Sequence, residues 1–116
     1  MLFRIDPASG VPLADQIAAH VRGAVAAGEL APGDRLPAAR DLAESLQVNM
    51  HTILRAYARL RDEGLIELRR GRGATIRRGD AADRARLVDA VQNLLVAGRR
   101  LGLNVDELVD EVRRLA

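Results

Sequence analysis

Apolar residues recur at helical spacing through the first quarter of the chain. Leu13, Ile17, Val21, Ala24 and Val25 share one face of a helix. Pro12 suits its first turn, where a missing N–H costs nothing, and Gly28 stops it. Residues 2–5 ahead of it read as a short strand, and Asp6-Pro7-Ala8-Ser9-Gly10 as a turn. Ala31-Pro32-Gly33-Asp34 is a second turn, followed by a brief extended step at Arg35-Leu36. A second helix over 38–46 buries Leu42, Ala43 and Leu46, and Gln47-Val48 form a tight turn. Asn49 is a good N-cap for a third helix whose inner face carries Ile53, Tyr57 and Leu60. Gly64 fits the C′ position that ends it.

The pattern then changes. Leu65, Ile66 and Leu68, and after them Ala74, Thr75 and Ile76, flank a glycine hairpin as two strands. The polar run from Gly79 to Asp83 marks a boundary. Leu87, Val91, Leu94, Leu95 and Leu101 form one further helical stripe, ended by Gly102. Asn104 with Glu107 has the form of a capping box, and Val105, Leu108, Val109, Val112 and Leu115 make a last stripe. The fold class expected is mainly α with a small β wing. A winged helix-turn-helix domain occupies 1–78 and a helical dimerisation element 79–116. A helix pair of about 35 residues is too small to be stable alone. Its stripes are expected to form a dimer interface with a second copy of the chain; packing onto the first domain is the other way to cover them.

Composition narrows the chemistry. Of 116 residues, 48% are hydrophobic and 29% charged, enough for a globular core with a polar surface. Only Phe3 and Tyr57 are aromatic, which argues against the stacking platforms of single-strand binders. Cysteine is absent, so disulfides, thiolate metal sites and thiol nucleophiles are excluded, in keeping with a cytoplasmic protein. No run of about 18 apolar residues suggests a membrane span, and the N-terminus lacks the apolar stretch of a signal peptide. All 18 basic residues are arginine, so no lysine amine can form a Schiff base. Two separated histidines, His20 and His51, make no metal site. His20 reads as a packing or surface residue. No enzyme, metal or cofactor is expected.

The net charge of +2 conceals an asymmetry. Residues 1–34 carry two arginines against four acids, residues 35–78 ten against five, and residues 79–116 six against seven. The positive excess falls on the helix–turn–helix. The major groove of double-stranded DNA admits one helix, and the N-terminal part of that helix reaches base edges. Here that part is Asn49, Met50, His51, Thr52 and Arg55. Asn suits adenine, Arg suits guanine, and Thr suits a phosphate or a thymine methyl. Arg40 lies where it can reach the backbone or a guanine, and Arg35 is expected among the DNA-binding residues. In the hairpin, Gly71 and Gly73 permit the reversal, and Arg69, Arg70 and Arg72 are expected along phosphates or in the minor groove. Arg59 and Arg61 are expected to pair with Asp62 and Glu63 on a solvated face.

The chain resembles the GntR family of bacterial transcription regulators. The resemblance rests on Pro12-Leu13-Ala14-Asp15-Gln16-Ile17, Gly28 through Pro37, Arg40-Asp41-Leu42-Ala43, Thr52 through Tyr57, Leu60, Glu63-Gly64-Leu65-Ile66 and Arg70 through Gly73. It implies a winged helix-turn-helix that binds palindromic operators as a homodimer. By the same resemblance Arg40 is a DNA-touching arginine, Thr52 a recognition-helix threonine and Gly71 the wing tip. Three positions depart from the family pattern: Met50 and Gln47 stand where arginine and glycine are frequent, and Ala38 where serine is. The short tail is similar to that of the YtrA-like subfamily, whose members often control transport operons, so repression of such an operon is implied. The alternative is a winged-helix module for protein–protein contact, marked by an exposed apolar patch on helix three, where only Met50 is expected. A tail this small implies no dedicated ligand pocket; a small-molecule effector would bind at the domain junction or in the dimer interface.

Overall fold

The computed structural model describes residues 3–71 and 73–116. The order is α1 (Leu13–Ala26), α2 (Ala39–Leu46), α3 (Met50–Asp62), β1 (Ile66–Arg69), β2 (Gly73–Ile76), α4 (Ala81–Arg100) and α5 (Val105–Leu115). The chain divides into two compact units, one up to Arg86 and one from Leu87 onward.

In the first unit, Ile17, Val21 and Val25 of α1 meet Leu42 of α2 and Ile53 and Leu60 of α3 in one aliphatic core. The hairpin closes one side of it. β1 and β2 are antiparallel, with Ile66 opposite Ile76 and Leu68 opposite Ala74. Period-two alternation places Ile66, Ala74 and Ile76 inward. Arg35 makes an isolated bridge to Thr75, so the extended step expected at Arg35-Leu36 is a rudimentary third strand.

Helix ends follow local chemistry. Leu65 N–H bonds the Leu60 carbonyl and Gly64 N–H the Arg61 carbonyl, with Gly64 at φ 79°. Leu60 and Leu65 are both fully buried, which completes a Schellman stop. The turn after α2 is less comfortable. Gln47 adopts φ 54°, ψ 46°, the left-handed region that glycine occupies more cheaply. Ala38 precedes α2 and supplies no side-chain cap.

Two expectations need correction. Residues 3–5 form no strand, and Leu2 lies outside the described residues. Phe3 and Ile5 instead pack against the rim of the core, and the Phe3 ring stacks on His20 at 4.8 Å. Gln16 holds this segment by accepting from Asp6 N–H and donating to the Asp6 and Val11 carbonyls. The polar run at 79–83 is also no clean boundary. α4 begins inside it, and Ala81 and Ala85 are fully buried in the first unit's core. Small side chains here let the helix approach closely.

The second unit consists of the rest of α4 and α5. The capping box forms as expected: Asn104 Oδ1 accepts from Glu107 N–H, and Glu107 accepts from Asn104 N–H. Leu108 is buried against Gly98, the small residue that admits it.

Candidate nucleic-acid interface

The N-terminal half of α3 is positioned by its own inner face. Ile53, Ala56, Tyr57 and Leu60 face the core, and that phase turns Met50, His51, Leu54 and Arg55 outward. Tyr57 locks the phase by donating its hydroxyl to the Pro37 carbonyl at 2.7 Å, which ties α3 to the start of α2. Burial pushes the Tyr57 phenol up to about 12, so it stays protonated and keeps donating. On the opposite flank, Arg22 of α1 is buried and reaches Glu63 at the end of α3 through Nε and a terminal nitrogen, at 3.1 and 2.9 Å. Arg59 joins the same carboxylate at 3.3 Å and also pairs with Asp15. The recognition helix is thus pinned at its middle and at its C-terminal end by contacts to other elements.

The outward residues divide by what they are bonded to. Arg35, Arg40, Arg55 and Arg70 are exposed, and among the described residues none has an acidic partner. Arg59 and Arg61, away from the N-terminal half of α3, are paired with Glu63 and Asp62 as expected. Arg69 is paired with Glu67 at 3.2 Å, an exposed contact that water and salt weaken. Arg35 and Arg69, with Arg78, border a concavity of about 210 Å³ at the root of the wing. Arg78 is a basic residue at this surface that the sequence reading left out. Gly71 and Gly73 take φ 77° and 73°, which only glycine adopts cheaply, and so reverse the hairpin in three residues. Arg72 lies outside the described residues.

On α3 one expected reader is also the helix cap, a second is turned inward, and a residue outside the expected set takes its place. Asn49 caps α3, its Oδ1 accepting from His51 N–H at 2.8 Å. One lone pair of that oxygen is therefore engaged, while its second lone pair and the NH₂ remain available to DNA. Thr52 turns inward and is only 8% exposed, so its side chain does not lie on the outer face with Met50 and His51. Leu54, absent from the expected readers, stands there instead at 44% exposure. The signal was available: Leu54 is four residues after Met50, whereas Thr52 and Ala56 flank the inner stripe. The expectation of no exposed apolar residue on α3 beyond Met50 is thereby corrected.

In the second unit the predicted interface residues Leu87, Val91, Leu94, Leu101, Val105, Val109, Val112 and Leu115 are all exposed. Leu95 is half-buried, and Leu108 is spent within the unit. Among the described residues, no helix is long and apolar enough to cross a membrane.

Comparison with known proteins agrees with this geometry. Residues 13–76 match the family described as bacterial regulatory proteins, gntR family. The chain is similar to the HTH-type transcriptional regulator Rv1152 of Mycobacterium tuberculosis, 43% identical over 101 residues, or 87% of this chain and 83% of that protein. It is similar to the HTH-type transcriptional repressor YtrA of Bacillus subtilis, 40% identical over 75 residues, or 65% of this chain and 58% of that protein. Among solved structures, YtrA from Sulfolobus acidocaldarius, a GntR-family transcription factor, superposes with a TM-score of 0.64 at 35% identity, covering 97% of this chain and 94% of that one. A GntR family transcriptional regulator from Listeria monocytogenes superposes with a TM-score of 0.67 at 28% identity, covering 95% and 98%.

Proposed function

The chain belongs to the gntR family of bacterial regulatory proteins, and from that premise we propose that it represses transcription by binding a palindromic operator as a homodimer. It is a sequence-specific DNA-binding transcriptional regulator, not an enzyme. In the proposed arrangement the winged-helix unit reads one half-site in the cytoplasm, and the helices from Leu87 onward join two copies. The relative named as a repressor, YtrA of Bacillus subtilis, supports the direction of regulation. A transport operon is the proposed target class, carried by the resemblance to the YtrA-like subfamily.

The observation that carries the reading is the set of guanidinium groups at Arg35, Arg40, Arg55 and Arg70, without an acidic partner among the described residues, beside an outward-facing α3. Each exposed arginine without an acid is free to displace a counterion from a phosphate, so affinity should fall steeply with salt. Gel shifts on the protein's own promoter region across about 50–200 mM salt test this. Affinity should drop by orders of magnitude over that range. Arg40→Ala should weaken binding to every sequence and flatten the salt slope by about one. Salt-independent binding, or none to that region, would overturn the proposal.

A further inference from the structure

Within that DNA-binding reading, on which this inference rests, the outer face of α3 presents two parallel rows. His51 and Arg55 form one, four residues apart; Met50 and Leu54 form the other. Met50 is 37% exposed and Leu54 44%. A lone exposed leucine needs no explanation. This one continues from Met50 into a shallow groove of about 260 Å³ that it shares with Leu68, Tyr57 and Ala74, and Arg69 and Arg70 border the same groove. An apolar strip set among cations suits a polyanion that carries apolar groups. In the major groove of duplex DNA, the apolar group is the C5 methyl of thymine. The expectation for Thr52 is a phosphate or a thymine methyl, but Thr52 is only 8% exposed and faces inward.

We propose that Leu54, with Met50, determines operator specificity by packing against thymine methyl groups in each half-site. The apolar row selects thymine where the usual arginine would select guanine. The hydrogen-bonding row of His51 and Arg55 reads neighbouring bases.

The test uses the full chain and random duplex DNA. Bound sequences are enriched, and the consensus is resynthesised with deoxyuridine replacing thymidine one position at a time, which removes only the methyl group. Replacement at one or two positions per half-site should weaken binding about fourfold each, the transfer free energy of one methyl. Leu54→Ala should bind thymine and uracil sites equally. Leu54→Asn, which keeps the size and branching of the side chain, should do the same. An unchanged melting temperature for either variant shows that the fold is intact. Equal wild-type affinity for thymine and uracil at every position would overturn this inference alone and leave the DNA-binding reading standing. So would discrimination that survives in both variants. A pool from which no sequence is enriched would overturn the DNA-binding reading and this one with it.

Discussion

Leu60 and Leu115 are the same side chain put to opposite uses. Leu60 is fully buried where α3 meets the core, while Leu115 is 71% exposed on α5. The contrast runs through their whole units. Up to Arg86, apolar residues from α1, α2, α3, the hairpin and the start of α4 converge on one interior. From Leu87 onward the stripes are equally regular in sequence, yet Leu108 is the one hydrophobic side chain buried among the described residues. Periodicity therefore establishes that a helix has an apolar face, not what covers it. The first unit covers its faces with its own elements. The second leaves apolar surface that water disfavours, which is why a second copy is the proposed cover.

The largest effect should come from charging that surface. Leu101→Asp with Leu115→Asp places two carboxylates where the proposed partner sits. Leu101 is 76% exposed, so neither change disturbs a packed interior. Sedimentation should show a dimer converted to a monomer, with operator affinity reduced at least a hundredfold because the two half-sites are no longer linked. A variant that remains dimeric would break the comparison. The complementary change belongs to the first unit. Glu63→Gln removes the charge that Arg22 and Arg59 share and leaves the buried Arg22 guanidinium facing a neutral amide. Breaking a buried pair on one side costs about 3 kcal/mol. Denaturant unfolding should show that loss while the oligomeric state of the folded protein is unchanged.

How much of this was legible in the sequence differs by the range of the interaction. The helices, the Schellman stop at Gly64 and the capping box at Asn104 depend on residues within one turn, and local spacing sufficed for them. Thr52 and Leu54 differ in exposure because a helix turns about 100° per residue. The stripe of Ile53, Tyr57 and Leu60 carried the phase, but the two positions beside it were not assigned from it. The partnership of Arg22 with Glu63 spans 41 residues and left no local mark. Nor did the burial of Ala81 and Ala85, since alanine in a polar run signals nothing until the opposing surface is known. In the candidate site, the arginines and wing glycines were readable by type. Which arginines stay unpaired was not, because that depends on where the acids fold.

Gly98→Ala probes the one place where the second unit does build an interior. A Cβ there would lie 2.6 Å from both methyls of Leu108 and 2.9 Å from its Cγ. Alanine gains about 1 kcal/mol of helix propensity over glycine, but the branch point of a buried leucine must then move. The clash should prevail, loosening α5 and weakening dimerisation about tenfold, a change of about 1.4 kcal/mol, with no change in the melting of the winged-helix unit. Adding Leu108→Ala removes the obstructing atoms, so the double variant should lose less than the two single losses combined.

The smallest effect sharpens the comparison from the other side, since it concerns strain that the first unit tolerates because its core is sufficient. Gln47 holds φ 54° at the turn between α2 and α3. A left-handed conformation costs an L-residue about 1–2 kcal/mol, and glycine returns about 0.5–1 kcal/mol of that through its freer unfolded state. Gln47→Gly should therefore stabilise the unit by about 0.5–1 kcal/mol, raising its melting temperature by about 2–8 °C. Gln47→Ala relieves no strain and should leave stability nearly unchanged. The backbone bonds from Gln47 N–H to the Glu44 carbonyl and from Val48 N–H to the Ala43 carbonyl survive either change. The angle between α2 and α3 is therefore kept, and operator affinity should be that of the parent protein. If Gln47→Gly alters affinity while it stabilises, the strained turn is coupled to how α3 is presented, and the first unit is less self-sufficient than its core suggests.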